Sequence, residues 1–249
     1  MKSIVKVLAC AFVIALLCVN AATAAGTCCA AKSPASTGAG PVCDNALTPE
    51  EQAAGWQLLF DGKTLNGWGC TTPGSKGWLV ENGTIFYNVQ GSGYLYTEER
   101  YGNFEFKMDF MVDHGTNSGL FFRWDNLNDP VQTGIEMQLL DSAAAQNPGR
   151  HDCGAIYDIL APTENAMKPA LEWNTVKLRC WKNFISVTMN GKWIVQMDLN
   201  RWKEAHKNPD GTGNKFNTAY KDMPREGHIG LQEHGGKIWF KNVKVRELN

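Results

Sequence analysis

Polar and apolar side chains alternate with a period of two residues in three separate stretches of this chain. The stretches are residues 118–123, 134–138 and 230–235. This period is typical of β-strands that bury one face in a core and expose the other. The exposed positions carry Arg123, Glu136, Gln138, Gln232 and His234. Because these side chains are suited to chemistry, the pattern predicts a polar pocket across neighbouring strands; scattered surface polarity is the alternative.

Residues 1–25 have the composition of a secretory signal peptide. Two lysines precede an unbroken apolar run over residues 7–19, which is too short for a comfortable membrane span. Small residues precede Gly26 at the positions that a signal peptidase recognises. We therefore expect export to the periplasm or the medium, with no membrane span in the mature chain. Lipidation at Cys10 is the weaker alternative, because that cysteine precedes most of the apolar run.

Export changes what the cysteines indicate. Of the eight cysteines, six follow the leader: Cys28, Cys29, Cys43, Cys70, Cys153 and Cys180. An even number in an oxidising compartment favours disulfides, although six cysteines allow fifteen pairings and the sequence does not select one. Zinc is disfavoured because no Cys-x-x-Cys pair is present.

The chain after the leader divides into an arm and a domain. Residues 26–54 are rich in small and polar residues and are predicted to form a flexible, disordered arm. Within the arm, residues 48–51 have the sequence of a helix start, Thr-Pro-Glu-Glu. Residues 55–249 have the length of one all-β domain. Without the leader lysines the chain has 22 basic and 25 acidic residues and no basic patch, so we expect no nucleic-acid partner.

Eleven segments of the domain are rich in aromatic and β-branched residues and are predicted to be strands. They are residues 78–80, 84–87, 94–96, 103–112, 119–124, 135–140, 175–181, 185–189, 193–198, 229–232 and 238–245. Asn-Gly pairs at 82–83 and 190–191 predict tight hairpin turns. These features predict a two-sheet sandwich. Residues 202–225 form a long loop, either a functional lid or disordered.

The order of the motifs resembles that of a known family. Residues 56–68 read WQLLFDGKTLNGW, residues 117–123 read NSGLFFR, and residues 136–141 read EMQLLD. The resemblance continues through residues 154–157, 172–174, 190–191, 220–224, 227–235 and 238–243. The chain thus resembles the 3-keto-disaccharide hydrolase domain family, formerly a domain of unknown function, over residues 55–248. The resemblance implies a concanavalin A-like, jelly-roll β-sandwich.

The resemblance also implies cleavage of glycosides whose sugar is already oxidised to a ketone at carbon 3. Such a ketone makes the proton at C2 acidic, so a base can remove it and form an enolate. The enolate expels the group at C1, and water then adds to the double bond. This route needs a base, a donor facing the enolate oxygen and an acid for the leaving oxygen. It does not need the two carboxylates of an ordinary glycosidase.

Three residues are the candidate catalytic groups. His234 is the first candidate for the base, since an imidazole is largely neutral near pH 7. Glu136 is the second candidate, and it could instead orient His234 or act as the acid. Arg123 is expected to face the enolate oxygen with its permanent charge.

Six further residues are candidates for substrate binding. They are Gln138, Gln232 and Asn174 as hydroxyl-binding amides, Trp173 and Tyr157 as sugar-stacking rings, and Asp141, which could lie at a turn instead. The expected partner is an oxidised 3-keto disaccharide or glycoside, and the oligomeric state is open. A non-catalytic carbohydrate-binding sandwich is the alternative function. No cofactor is expected, but a divalent metal held by His234 and Glu136 is an open variant of the enzyme hypothesis.

Overall fold

The computed structural model describes residues 43–87 and 90–249. The predicted leader, the first part of the predicted arm, and Cys28 and Cys29 lie outside the described residues. A search of the described residues finds no helix that is both long enough and apolar enough to cross a membrane.

The described residues form thirteen strands, two short α-helices and two short 3-10 turns. The strands are β1 (Gln57–Leu58), β2 (Trp68–Cys70), β3 (Trp78–Glu81), β4 (Thr84–Tyr87), β5 (Leu95–Thr97), β6 (Phe104–Val112), β7 (Asn117–Trp124), β8 (Ile135–Leu140), β9 (Asn174–Trp181), β10 (Phe184–Met189), β11 (Lys192–Asp198), β12 (His228–Leu231) and β13 (Ile238–Glu247). The helices are α1 (Pro49–Ala53) and α2 (Pro130–Thr133), and the 3-10 turns span Leu199–Arg201 and Tyr220–Asp222.

The strands pair into two antiparallel sheets. The larger sheet has the order β11-β10-β9-β6-β13-β4-β3, with β1 added against β13, and the smaller sheet has the order β2-β5-β12-β7-β8. In both sheets, strands that are far apart in the sequence are neighbours, as in β6 beside β13 and β12 beside β7. The predicted jelly-roll sandwich is confirmed.

Alternation along the strands builds the core between the sheets. Along β6, Phe106, Met108 and Phe110 are buried, whereas the residue that follows each of them is partly exposed. Ile135, Met137 and Leu139 of β8 enter the same core from the smaller sheet. Because one face of β8 is apolar throughout, the polar residues of that strand must lie on its other face.

The two predicted Asn-Gly turns are present. Asn82 and Gly83 have φ angles of 49° and 75°, and Asn190 and Gly191 have φ angles of 50° and 82°. These positive angles are those that a tight two-residue turn requires and that Asn and Gly tolerate best. The turns connect β3 to β4 and β10 to β11.

The end of the predicted arm belongs to the folded domain. The backbone N–H of Asn45 donates to Asn242 Oδ1 (2.6 Å), and the N–H of Asn242 donates to Asn45 Oδ1 (2.8 Å). The predicted helix forms as α1, and its Thr48 and Glu51 complete a capping box. Glu51 also accepts hydrogen bonds from the ammonium groups of Lys244 (2.8 Å) and Lys107 (3.1 Å). The last residues of the predicted arm, from Asp44 onward, therefore pack against the folded domain.

No disulfide joins any two of the four cysteines that the structure describes. Cys43, Cys70, Cys153 and Cys180 are free thiols. Burial in the core raises the pKa of both Cys153 and Cys180 to about 12, so these two thiols are protonated and unreactive at neutral pH. The disulfides that the even number of cysteines favours are therefore not found among these four.

The long segment over residues 202–225 is ordered. Trp202, Phe216, Tyr220 and Met223 are buried, and the Trp202 indole donates to Asn208 Oδ1 (3.0 Å). Apolar anchors at both ends hold the segment against the sandwich. Of the two expectations for this segment, disorder is wrong.

Replacement of Glu51 by Ala should lower the free energy of unfolding by about 2 kcal/mol. The buried Lys244 ammonium would lose its charged partner, and hydrogen bonds to charged groups contribute about that much. Urea denaturation followed by tryptophan fluorescence measures the change. Glu50→Ala, an exposed neighbour in the same helix, is the control, and equal effects of the two substitutions would contradict the proposed attachment.

Candidate functional site

Three strands of the smaller sheet carry polar side chains to the face that points away from the core. Glu136 of β8 pairs with Phe121 of β7, and Gln138 pairs with Gly119. The backbone N–H of Gln232, just after β12, donates to the carbonyl of Gly119 (2.9 Å). Glu136, Gln138 and Gln232 therefore converge around Gly119, so the structure brings these three predicted site residues together.

The carboxyl of Glu136 lies in the centre of this face and is only 6 % exposed. Burial raises the pKa of Glu136 to about 7, while the positive charge of Lys215 and a hydrogen bond from Gln232 act in the opposite direction. Gly119 gives the carboxyl its room, because a Cβ at that position would overlap Glu136 Oε1. A carboxyl with this pKa exchanges protons near neutrality, as a general acid or base must.

The two glutamines beside Glu136 have unused acceptor atoms. Gln138 Nε2 donates to Asn117 Oδ1 (3.0 Å), and Gln232 Nε2 donates to the hydroxyl of Tyr94 (3.1 Å). The Oε1 atoms of both glutamines are buried without a hydrogen-bond partner among the described residues. Buried acceptors without partners are rare, so these two oxygen atoms are unusual features of this face.

Aromatic rings line the same face. The ring of Tyr94 lies 5.5 Å from that of Phe121 and 6.0 Å from that of Trp124, and Tyr96 also contacts Trp124 at 6.0 Å. Sequence reasoning missed Tyr94 as a site residue. The signal was present, because Tyr94 and Tyr96 flank the buried Leu95 and so share the face opposite the core.

Tyr157 reaches the site on a segment that runs beside β8. The backbone N–H of Tyr157 donates to the carbonyl of Glu136 (2.9 Å), and that of Gln138 donates to Ala155 (2.9 Å). The Tyr157 ring lies under the ammonium of Lys215, whose Nζ is 4.1 Å from the ring centroid. Tyr157 is thus placed with Glu136, as the sequence suggested.

Two residues of the long segment over 202–225 approach the site and were missed. The positive charge of Lys215 lowers the pKa of Glu136, against the effect of burial. Tyr220 is fully buried, and its hydroxyl has no hydrogen-bond partner among the described residues. Burial is the main cause that raises the pKa of Tyr220, and the charge of Glu136 adds to it. No periodic pattern marks either residue, because both lie in an irregular segment.

Arg123 does not lie with Glu136, which corrects the expectation from alternation. Phe121 pairs with Gly230 and Trp124 pairs with His228, so β7 has one extra residue there, a β-bulge. Arg123 has a φ of 49°, and its guanidinium donates to the carbonyls of Gly102 (2.9 and 3.0 Å) and Lys182 (2.9 Å). The bulge turns this side chain away from the face that carries Glu136.

Asn174 and Trp173 are also placed elsewhere, on the larger sheet. Asn174 begins β9, and its Oδ1 accepts hydrogen bonds from the backbone of Lys168 (2.8 Å) and from Asn190 (2.8 Å). Trp173 lies under the ammonium of Lys241, 4.5 Å from the ring centroid. These contacts order a loop and an outer surface, so neither residue joins the Glu136 cluster.

His234 and Asp141 lie beyond the ends of their strands. His234 is exposed in the segment after β12, and no hydrogen bond or ring contact joins it to Glu136 within residues 43–87 and 90–249. Asp141 follows β8 and accepts a hydrogen bond from the backbone of Gly115 (2.9 Å).

The donor set around Glu136 consists of amides, phenols and one ammonium. Nowhere in the described part of the chain do three His, Cys, Asp or Glu side chains group as metal ligands would. The metal ion that the sequence left open therefore stays an untested prediction.

Comparisons with known proteins agree with the motifs. The family described as 3-keto-alpha-glucoside-1,2-lyase-like domain matches residues 55–246. A curated relative, the 3-keto-disaccharide hydrolase of Bacteroides thetaiotaomicron, is 28 % identical over 232 residues, which cover 79 % of this chain and 80 % of that protein.

Two solved structures of candidate glycosyl hydrolases from Parabacteroides distasonis share the fold. One has a TM-score of 0.70 with 32 % identity and covers 78 % of this chain and 99 % of its own. The other has a TM-score of 0.70 with 27 % identity and covers 83 % of this chain and 100 % of its own.

Replacement of Arg123 by Lys should lower the free energy of unfolding by about 2 kcal/mol. An ammonium cannot satisfy the carbonyls of Gly102 and Lys182 together, and a buried acceptor without a partner costs about that much. Chemical denaturation measures the change. If Arg123→Lys lost activity without a change in stability, the result would support the catalytic role that the sequence predicted for Arg123.

Replacement of Glu136 by Gln should stabilise the protein at pH 8 and leave it unchanged at pH 4. The folded-state pKa of Glu136 is raised from 4.5 to about 7, so ionisation favours the unfolded chain as pH rises between these values. Above pH 7 the difference reaches roughly 3 kcal/mol. Denaturation across this pH range measures it. Glu98→Gln, at an exposed position, is the control. If Glu136→Gln raised the free energy of unfolding as much at pH 4 as at pH 8, ionisation of Glu136 would be excluded as the cause.

Proposed function

The chain belongs to the 3-keto-alpha-glucoside-1,2-lyase-like family, and we propose that it cleaves 3-keto-glycosides such as 3-keto-disaccharides. The observation that carries the proposal is the buried Glu136 carboxyl, with its pKa raised to about 7, beside two amide oxygens that lack partners. Such a site combines a proton acceptor with positions for sugar hydroxyls. The leader additionally supports export to the periplasm or the medium, which we include in the proposal.

Glu136 removes the proton from C2 of the keto sugar. The ketone at C3 makes this proton acidic, because the electrons of the C2–H bond move into an enolate. A carboxylate with a raised pKa is a stronger base than an ordinary one and is still largely ionised at slightly alkaline pH. After the transfer Glu136 is a neutral acid, which is the form that its burial favours.

Elimination and hydration then complete the cleavage. The enolate electrons return to re-form the C3 ketone, the C1–C2 double bond forms, and the C1–O bond breaks. The leaving oxygen takes a proton from a water molecule and departs as an alcohol. The hydroxide of that water adds to C1, and the proton held by Glu136 returns to C2, so that the net reaction is hydrolysis. Glu136 holds the proton that C2 gave up and can return it.

The surroundings of Glu136 suit this route better than the route of an ordinary glycosidase. That route uses two carboxyl groups that flank the C1–O bond. Among the described residues, Lys215 and Gln232 lower the pKa of Glu136, and neither is a carboxylate. In this proposal Glu136 takes the role of base for which His234 was the first candidate, because Glu136 is buried among hydroxyl-binding groups and His234 is exposed.

Gln138 and Gln232 orient the sugar. Their Oε1 atoms accept hydrogen bonds from its hydroxyls, while the Nε2 atoms are held by Asn117 and Tyr94. A fixed amide loses little entropy on binding and places C2 near the Glu136 carboxylate. The rings of Tyr94 and Tyr157 provide apolar surface for the sugar ring.

Incubation with 3-keto-trehalose should release a free 3-keto sugar, whereas unoxidised trehalose should survive. Glu136→Gln should lower kcat/KM by roughly 10²–10⁴-fold and abolish exchange of the C2 hydrogen with deuterium from solvent, since both pass through the enolate. His234→Ala and the control Glu98→Gln should retain cleavage and exchange. Product analysis and NMR measure these outcomes.

Two results would contradict the proposal. Binding of intact glycans without turnover of any keto-glycoside would identify a non-catalytic carbohydrate-binding domain. Loss of cleavage and exchange in His234→Ala, with both retained in Glu136→Gln, would transfer the role of base to His234.

A further inference from the structure

We propose that Lys215 is a catalytic residue whose ammonium binds the C3 oxygen of the substrate and stabilises the enolate. This inference rests on the proposed function and supplies the oxygen-facing donor that the reaction needs. Arg123, the first candidate for that donor, is held by the carbonyls of Gly102 and Lys182 at the end of the sandwich.

The placement of Lys215 puts its charge beside the base. Its Nζ lies 4.1 Å from the centroid of the Tyr157 ring. The backbone of Tyr157 is in turn hydrogen-bonded to the carbonyl of Glu136 (2.9 Å). The ring that holds the ammonium therefore belongs to a residue paired with Glu136, and the charge of Lys215 acts on the Glu136 carboxyl. A cation over an aromatic face is held there without using its hydrogen-bond donors.

The backbone around Lys215 is fixed from two sides. Its N–H donates to Asp158 Oδ2 (2.8 Å), and its carbonyl accepts a hydrogen bond from Gln132 Nε2 (3.2 Å). The next residue, Phe216, is buried, and its ring lies 5.0 Å from that of Tyr220. Only the long side chain of Lys215 is left to move. It can therefore follow a bound substrate while the backbone of Lys215 stays in place.

The ammonium of Lys215 is also available. Across residues 43–87 and 90–249, no carboxylate forms an ion pair with it, whereas Lys107 and Lys244 both bind Glu51. The nearby Asp158 is already used, since its Oδ2 accepts the Lys215 backbone N–H and its Oδ1 lies 3.1 Å from His151 Nε2. The three donors of an ammonium group can therefore serve a ligand.

The charge of Lys215 matches the charge that develops in the reaction. The C3 ketone is neutral in the bound substrate and becomes a negatively charged enolate oxygen after Glu136 takes the proton. A cation that faces this oxygen binds the transition state more strongly than the substrate, so it acts mainly on kcat. The ammonium keeps its own proton and acts by charge and hydrogen bonding.

Other titratable groups face Glu136 without supplying this charge. The phenols of Tyr94, Tyr157 and Tyr220 all interact with the Glu136 carboxylate, and all three have a raised pKa, mainly from burial. They are neutral at the pH of the reaction. Lys215 is the cation that acts on Glu136 in the described part of the chain.

Lys215→Gln should lower kcat for 3-keto-trehalose by roughly 10²–10³-fold, the usual effect of losing one donor to a developing oxyanion. KM should change little, and exchange of the C2 hydrogen should fall with kcat. Lys215→Arg should recover part of kcat because it keeps the positive charge. The control is Lys221→Gln, an exposed lysine of the same segment, which should behave as the wild type.

A second measurement needs no substrate. Because Lys215 favours the ionised carboxylate, Lys215→Gln should raise the pKa of Glu136 further, and ¹³C NMR titration of the carboxyl in the full chain detects this. Lys221→Gln should leave that titration unchanged. An unaltered Glu136 titration in Lys215→Gln would show that the ammonium does not lie beside the base and would overturn the inference.

The kinetic outcomes separate the two proposals. If the wild type turns over no keto-glycoside, the proposed function fails and the catalytic role of Lys215 fails with it. If the wild type is active and Lys215→Gln keeps its kcat, only the role of Lys215 fails. A raised KM with an unchanged kcat would show that Lys215 only binds substrate and would also overturn the inference.

Discussion

The buried guanidinium of Arg123 joins the two sheets at one end of the sandwich, and the arrangement of the site depends on it. Arg123 lies on β7 of the smaller sheet, while its acceptors, Gly102 and Lys182, adjoin strands of the larger sheet. The β-bulge that turns Arg123 inward also shifts the alternation of β7 by one residue, so that Trp124 lies on the outer face with Tyr94. One extra residue thus fixes both the connection between the sheets and the position of Trp124 on the face that carries Glu136.

The burial of the Glu136 carboxyl lowers the stability of the fold, and it also raises the pKa of this carboxyl toward neutrality. An ionised carboxylate that is only 6 % exposed lacks most of the hydration that it would have in water. The fold supplies only partial compensation, through Gln232 and the charge of Lys215. Complete compensation would restore an ordinary pKa and remove the basicity that the proposed reaction uses. This balance is the usual cost of an active site, where activity and stability favour different residues.

The sequence predicted regular features well and irregular ones poorly. Period-two alternation located the strands and placed Glu136, Gln138 and Gln232 on one face, because all three lie in or beside regular parts of the ladders, away from the bulge. The same rule failed for Arg123, since a bulge changes the facing of a residue without changing the pattern of residue types. The place of Asn174 on the larger sheet was not predicted, because a short motif does not tell which of two sheets the neighbouring strand joins. Lys215 has no periodic context, and its position follows from long-range packing that a local pattern does not contain.

A flat sheet face excludes water only when irregular segments cover it. The segment beside β8 brings Tyr157 to one side of Glu136, and the segment over residues 202–225 brings Lys215 and Tyr220 from another direction. The sheet supplies a rigid base and amides, while the loops supply charge and exclude water. Since the segment over residues 202–225 is anchored by Trp202 and Phe216, which are buried, its exposed residues can vary without loss of the fold. Differences in substrate among related sandwiches are therefore expected to arise in these loops rather than in the strands.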